Sequence, residues 1–332
     1  MVEAHVVDAW TIETAKTGTP YLWAVFIAGL AAPLFLFLAG VSTALAAGAR
    51  AGKTDHRSAA LGAINRGWLV FALAYLFRLQ SQLLGWGPLV NFLKVDILNV
   101  MGLAIIMAGA FWSISASRST RVIVFAIAAA AVAMSAPIVR ESSWVIGLPD
   151  PIEAYIRPIP GWSTFALFPW AAFLFAGMLV GELISAVRDG GRDAFVQTGL
   201  AIAGCGCIAI AYWASFQPSI YPVANFWTSS PTFFFIRLGI CTAFVPIARL
   251  IGRAPALVIV LGRSSLFVYW VHVEMVYGVS GRPLRQTMPL ALALTATAVL
   301  CVVLYKIVLW KNRLMEGVQL TGPSRILAPV LK

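Results

Sequence analysis

Apolar residues in this chain come in long runs separated by short polar punctuation. A helix needs about 20 mostly apolar residues to cross a bilayer. Nine stretches have that length, roughly 21–48, 60–84, 96–115, 121–139, 164–187, 196–215, 230–250, 255–279 and 289–310. The breaks carry turn chemistry, as at Asp189-Gly190-Gly191 and Ser280-Gly281-Arg282-Pro283. The pattern predicts an all-α polytopic integral membrane protein of about nine transmembrane helices. The longest stretch between spans, 140–163, contains Trp144 and Trp162 and reads as an ordered loop with aromatic anchors at the membrane interface. No internal repeat and no low-complexity tract interrupts the series, so residues 1–332 are read as one transmembrane domain.

Composition agrees with a lipid solvent. The chain is 60% hydrophobic and 11% charged, with a mean hydropathy of +0.86; a soluble domain is about half apolar and a quarter charged. The net charge of +11 does not mark a nucleic-acid partner, because the basic residues are spread between apolar runs. It reports topology instead. Loops 49–59, 116–121, 188–195 and 249–254, with the chain from 306, hold fourteen of the 24 Lys and Arg, whereas the alternate loops and the N-terminal segment hold six. The positive-inside rule makes the first set cytoplasmic. The N-terminus and residues 1–20 then lie outside with loop 140–163, and the tail 311–332 lies inside. Residues 1–20 lack the basic and apolar regions of a secretory signal. "VEAHVV" resembles the last turn of a helix, so the expectation is an upstream first span ending at His5, which would make ten. Cys205, Cys207, Cys241 and Cys301 all fall inside apolar runs, and the expectation is neither a disulfide framework nor a metal site.

Charges inside spans are costly and therefore informative. Arg66 and Arg263 lie about two turns from the cytoplasmic side, Arg78 and Arg237 toward the outer side. Arginine binds phosphate bidentately, so Arg66 and Arg263 are candidates for the phosphates of a cytosolic anionic substrate. The structural alternative is that they snorkel, or pair with a carboxylate such as Glu182. Asp96 opens a span with Asn99 three residues on, on the same helical face, and is expected to clamp Arg78. In "GRSSLFVYWVHVEMVYG", Ser265, Tyr269 and His272 are spaced four and three apart and share a face, with Glu274 pointing elsewhere. A histidine there can carry protons, hold a hydrogen-bonded partner or fill the core. At the start of the chain, His5 and Asp8 are three apart. A carboxylate on one imidazole nitrogen fixes the tautomer and leaves the other nitrogen to take a proton. This pair is the candidate general base with its orienting group; two solvated loop residues are the alternative.

Four blocks carry a resemblance: "APLFLFLAGVSTALA" at 32–46, "VDILNVMGLAII" at 95–106, "FPWAAFLFAGMLVGE" at 168–182 and "LGRSSLFVYWVH" at 261–272. In this order they resemble the bacterial relatives of heparan-alpha-glucosaminide N-acetyltransferase, within the wider transmembrane acyltransferase superfamily. The resemblance runs over about residues 1–280. It implies an enzyme of the bacterial inner membrane that passes an acyl group, usually acetyl from cytosolic acetyl-CoA, to a carbohydrate or similar acceptor on the far side. Family members carry an Asp-x-x-Arg-Gly-like block in their first helix and then a polar residue or histidine at its outer end. This chain lacks the block, and His5 matches the helix-end position. The implied roles are base for His5 with Asp8, CoA phosphates for Arg66 and Arg263, and tunnel or acceptor lining for Arg78, Asp96, Asn99, Ser265, Tyr269 and His272. The thioester would thread between closely packed helices, for which Gly177 and Gly181 are suited. Expected partners are bilayer lipids, the acceptor and a second copy of the chain; nucleic acid and metal are not expected. Two other classes use the same charges: a transporter or flippase for a glycan or lipid precursor, and a non-catalytic cell-envelope protein.

Overall fold

The structure, a computed structural model, describes residues 1–85, 89–188 and 192–319. The predicted turn at 189–191 and the last part of the predicted tail, 320–332, lie outside the described residues. In chain order the helices are α1 (Val2–Trp10), α2 (Thr19–Ala28), α3 (Ala31–Ala51), α4 (His56–Gly85), α5 (Ile97–Ser113), α6 (Arg118–Glu141), α7 (Ser143–Ile146), α8 (Asp150–Ile156), α9 (Leu167–Arg188), α10 (Asp193–Ala214), α11 (Pro231–Ile251), α12 (Ala256–Arg263), α13 (Ser265–Tyr277) and α14 (Leu290–Gln319). No strand forms among the described residues. The protein is an all-α polytopic membrane protein.

All nine predicted runs are helical. Among the described residues seven helices are long and apolar enough to cross a membrane, or eight if α12 and α13, bent by 90° at Ser264, make one span. The ninth run is α5, with 17 residues. Leu98, Val100, Ala104, Ile105 and Ala108 on it are all buried, so protein surrounds it. α2 and α3 together form the first candidate span, Thr19–Ala51.

The chain divides into two compact units. One contains the segment up to Ala31 and the chain from Ile251; the other contains Ala32–Gln82 and the chain up to Leu250. In the second unit α9 packs against α5, α6 and α10. It also meets α3 with no room for side chains: a Cβ at Gly177 would overlap the Phe37 carbonyl, and one at Gly181 would meet Ala44 Cβ at 2.7 Å. Such contact is how transmembrane helices associate when lipid gives no hydrophobic drive between them.

The first unit gathers α1, α13 and α14 around Val6, Trp10, Val268, Val276 and Leu304. Val2, Val6 and Trp10 recur at four-residue spacing and give α1 one apolar face. Val6 and Trp10 are buried, and full burial of an apolar side chain stabilises by about 1.5–3 kcal/mol. The chain leaving α1 is tied to the start of α14. Met288 N donates to Trp10 O at 2.9 Å, and Ile12 N donates to Met288 O at 2.9 Å. The indole Nε1 of Trp10 donates to Val276 O at 3.4 Å. α1 is thus fixed against α13, and this positions the site below.

Candidate functional site: a histidine pair

His5 on α1 and His272 on α13 are joined ring to ring. His5 Nδ1 and His272 Nε2 are 2.9 Å apart. The ring planes are 16° from parallel with centroids 4.9 Å apart. With nitrogens at hydrogen-bond distance, this is an edge-to-edge contact between nearly coplanar imidazoles. His272 Nδ1 lies 2.6 Å from Val268 O, one turn earlier in the same helix. His272 is 1% exposed and His5 is half-buried. Tyr269 stands edge-on to His272, with centroids 5.7 Å apart, and Tyr277 stands edge-on to His5 at 5.4 Å. Burial pushes the His5 imidazole down to about 4, because a charged ring loses its hydration there. At neutral pH His5 is therefore an uncharged base.

Asp8 does not take the predicted place beside His5. Its carboxylate accepts from Tyr277 Oη at 2.8 Å, and among the described residues no hydrogen bond joins it to His5. The three-residue spacing does put both side chains near Tyr277, but His272, from 267 positions along the chain, occupies the imidazole nitrogen. Ser265 also departs from the predicted face: it is exposed, whereas Ser264 is 6% exposed and accepts a hydrogen bond from Lys311 Nζ at 3.3 Å. Arg263 is exposed at the α12–α13 bend.

The remaining predicted residues lie in the second unit. Arg78 and Asp96 form the expected clamp, Nη2 to Oδ2 at 3.4 Å. Asp96 also caps α5: its Oδ1 accepts from Ile97 N at 2.6 Å, and Asn99 Oδ1 accepts from Asp96 N at 3.0 Å. Asn99 Nδ2 donates to Tyr155 Oη at 3.2 Å, and Tyr155 Oη lies 2.8 Å from Tyr75 Oη. Burial, then the Tyr75 hydrogen bond, pushes the Tyr155 phenol upward. Tyr75 and Tyr155 are absent from the sequence prediction; Tyr155 sits in α8, inside a segment read as loop, where no periodicity marks it. Arg66 is exposed on α4. Arg237 lies over the Phe233 ring, 3.8 Å from its centroid. Glu182, offered above as a partner for the intramembrane arginines, is held by Arg121 instead, through Nε at 3.1 Å and Nη2 at 2.9 Å.

The model of the family described as heparan-alpha-glucosaminide N-acetyltransferase, catalytic, matches residues 1–218. The chain belongs to that family. The heparan-alpha-glucosaminide N-acetyltransferase match contains His5, Arg66, Arg78, Asp96 and Asn99. Arg263, Tyr269 and His272 lie beyond its end, so the second histidine of the pair comes from α13, outside the matched region. No curated protein and no solved structure matches the chain.

Proposed function

We propose that this family member is a membrane acyltransferase that moves an acyl group, acetyl by family, from acyl-CoA on the cytosolic side to a hydroxyl or amine of a carbohydrate or similar acceptor outside. The observation that carries the reading is the His5 ring: a half-buried, uncharged imidazole pinned at Nδ1 by His272. Such a ring is a general base with one nitrogen committed and one available. His5 takes the proton from the acceptor O–H or N–H as that heteroatom bonds to the thioester carbonyl carbon. The C–S bond then breaks, its electron pair leaves on sulfur, and His5 returns the proton to give the free CoA thiol. The ring ends as it began.

Arg66 in the second unit and Arg263 in the first are each, taken singly, a candidate for the CoA phosphates, as permanently charged donors. Tyr269, edge-on to His272, is assigned to the acceptor path; Arg78, Asp96 and Asn99 form the separate clamp and cap of the second unit. The reading puts the protein in the bacterial inner membrane, with bilayer lipids and an extracytoplasmic acceptor as partners.

The test is thiol release from acetyl-CoA by the purified full chain, with and without a sugar acceptor. The expected result is acceptor-dependent release that falls about 10²–10⁴-fold in His5→Ala, the range that general base catalysis supplies. Wild-type protein that neither binds nor cleaves acetyl-CoA removes the acyltransferase reading and leaves the intramembrane charges to a transport pathway.

A further inference from the structure

The direction of each hydrogen bond in the histidine pair follows from its far end. The Val268 carbonyl can only accept, so His272 Nδ1, 2.6 Å away, carries the hydrogen. A neutral imidazole has one N–H, which leaves His272 Nε2 with a lone pair. His5 Nδ1, 2.9 Å from that lone pair, must then donate. His5 is neutral too, so its remaining nitrogen, Nε2, holds the free lone pair and makes no hydrogen bond with the described residues. The opposite arrangement needs a doubly protonated His272. That would place a charge on a side chain 1% exposed whose hydrogen-bond partners are a neutral carbonyl and a neutral ring, which a dry interior penalises.

We propose that His272 is a positioning residue that fixes the tautomer of His5 and thereby makes Nε2 the nitrogen that takes the acceptor's proton. The catalytic consequence rests on the acyltransferase reading; the tautomer assignment stands without it. In this assignment His272 acts through its contact with His5 Nδ1. When His5 Nε2 gains a proton, the Nδ1–H···Nε2 contact becomes charge-assisted and strengthens. The pair therefore holds the charged ring more tightly than the neutral one, and stabilises the step in which the charge appears. α1 and α13 supply one ring each, so the packing of Trp10 on Val276 sets the distance between them.

The chain has three histidines, His5, His56 and His272, which makes the ring nitrogens assignable by single substitutions. The experiment is ¹⁵N NMR of the full chain in detergent with ¹⁵N-histidine, alongside thiol-release kinetics, for wild type, His272→Ala and His272→Gln. In wild type His5 should show a protonated Nδ1 and an unprotonated Nε2. His272→Ala should mix the two tautomers and lower kcat about 100-fold or more, with KM for acetyl-CoA unchanged within about threefold. His272→Gln, whose amide oxygen can accept from Nδ1–H, should keep the tautomer and recover a large part of kcat. His5 protonated at Nε2 in wild type overturns the proposal. So does His272→Ala with kcat within about threefold of wild type, or a loss of kcat in both variants with the tautomer unchanged, since His272 would then act by packing alone. Wild type that cleaves no thioester removes the functional reading instead, and the ring resonances still decide the tautomer.

Discussion

Glu182 is a carboxylate 2% exposed in the membrane-spanning part of the chain, and its surroundings answer its charge in full view. Arg121 donates to it twice, and Trp112 Nε1 donates at 2.6 Å. Arg121 also donates to Ser115 O and Ala116 O, and lies 4.5 Å from the Trp112 centroid. The His56 ring lies against the same indole at 4.2 Å. Removing one partner from a buried pair strands the other charge, which costs about 3–5 kcal/mol; Glu182→Ala should lower the thermal midpoint in detergent accordingly. Trp112→Phe should cost less, about 1–3 kcal/mol, since the carboxylate loses one donor but keeps Arg121. A midpoint unmoved by Glu182→Ala would show that the pair contributes nothing. At His5 the sign of a pH effect follows from its lowered value of about 4. The unfolded chain binds a proton there below about 6.5 and the native state does not, until about pH 4. Its contribution to stability is complete above pH 6.5 and is lost as pH falls through that window. Thermal midpoints of wild type and His5→Gln between pH 4 and 7 should therefore converge toward the acid end; parallel curves would contradict the shift. These residue-level contacts were the least legible part of the sequence. His5 and His272 each stood out, yet nothing in a linear pattern joins positions 267 apart, and the nearby Asp8 drew the assignment. Arg121 begins a helix, where counting loop charges hides its burial, and His56 had no signal at all.

The elements were legible because lipid demands length. A run of about 20 apolar residues has few other uses, and each of the nine runs is helical in the structure. What periodicity missed lies where one run holds two helices. The 255–279 run bends by 90° between Arg263 and Ser265. Tyr269 and His272 keep their shared buried face within α13, while Ser265, the first residue of that helix, stands exposed at the bend and Ser264 just before it is buried. α5 shows the reverse, a short helix whose start was readable. Asp96 reads as the start of a span with Asn99 on the same face, and in the structure the two residues cap the helix reciprocally. The same Asp96 also holds Arg78, so its two roles can be separated. Asp96→Asn keeps an oxygen for the cap but lowers the charge facing Arg78, whereas Asp96→Ala removes both. The expected order of thermal midpoints in detergent is wild type, then Asn, then Ala, with about 0.5–2 kcal/mol between Asn and Ala for the cap. Equal midpoints for Asn and wild type, with acyl transfer lost in Asn, would shift Asp96 from clamp to substrate path.

At the scale of the whole molecule, the alternation of basic loops with helices predicts a side for each connection. Thr54, between α3 and α4, belongs to the basic set together with the connections after α5, α9 and α11; Ser142, Ser219 and Ser280 belong to the alternate set. With α12 and α13 counted as one crossing, and α5 as one more, the topology read from the loop charges has nine crossings and is a proposal that labelling can test. Any pairing error in that count shifts every later connection to the other face, so a few labels test the whole arrangement. In a chain with Cys205, Cys207, Cys241 and Cys301 replaced by alanine, single cysteines at Ser142, Ser219 and Ser280 should react with a membrane-impermeant maleimide added outside intact cells. A cysteine at Thr54 should react only after the membrane is opened. The same topology sets where the chemistry happens, because Ser280 follows α13 by three residues and His272 lies within α13's last two turns. Labelling of Ser280→Cys from outside therefore locates the end of α13 that carries the histidine pair on the acceptor's side, as transfer across the bilayer requires. Labelling of Ser280→Cys only from inside would put that pair at the cytosolic face, where donor and acceptor would meet on one side and the vectorial part of the proposal would fail.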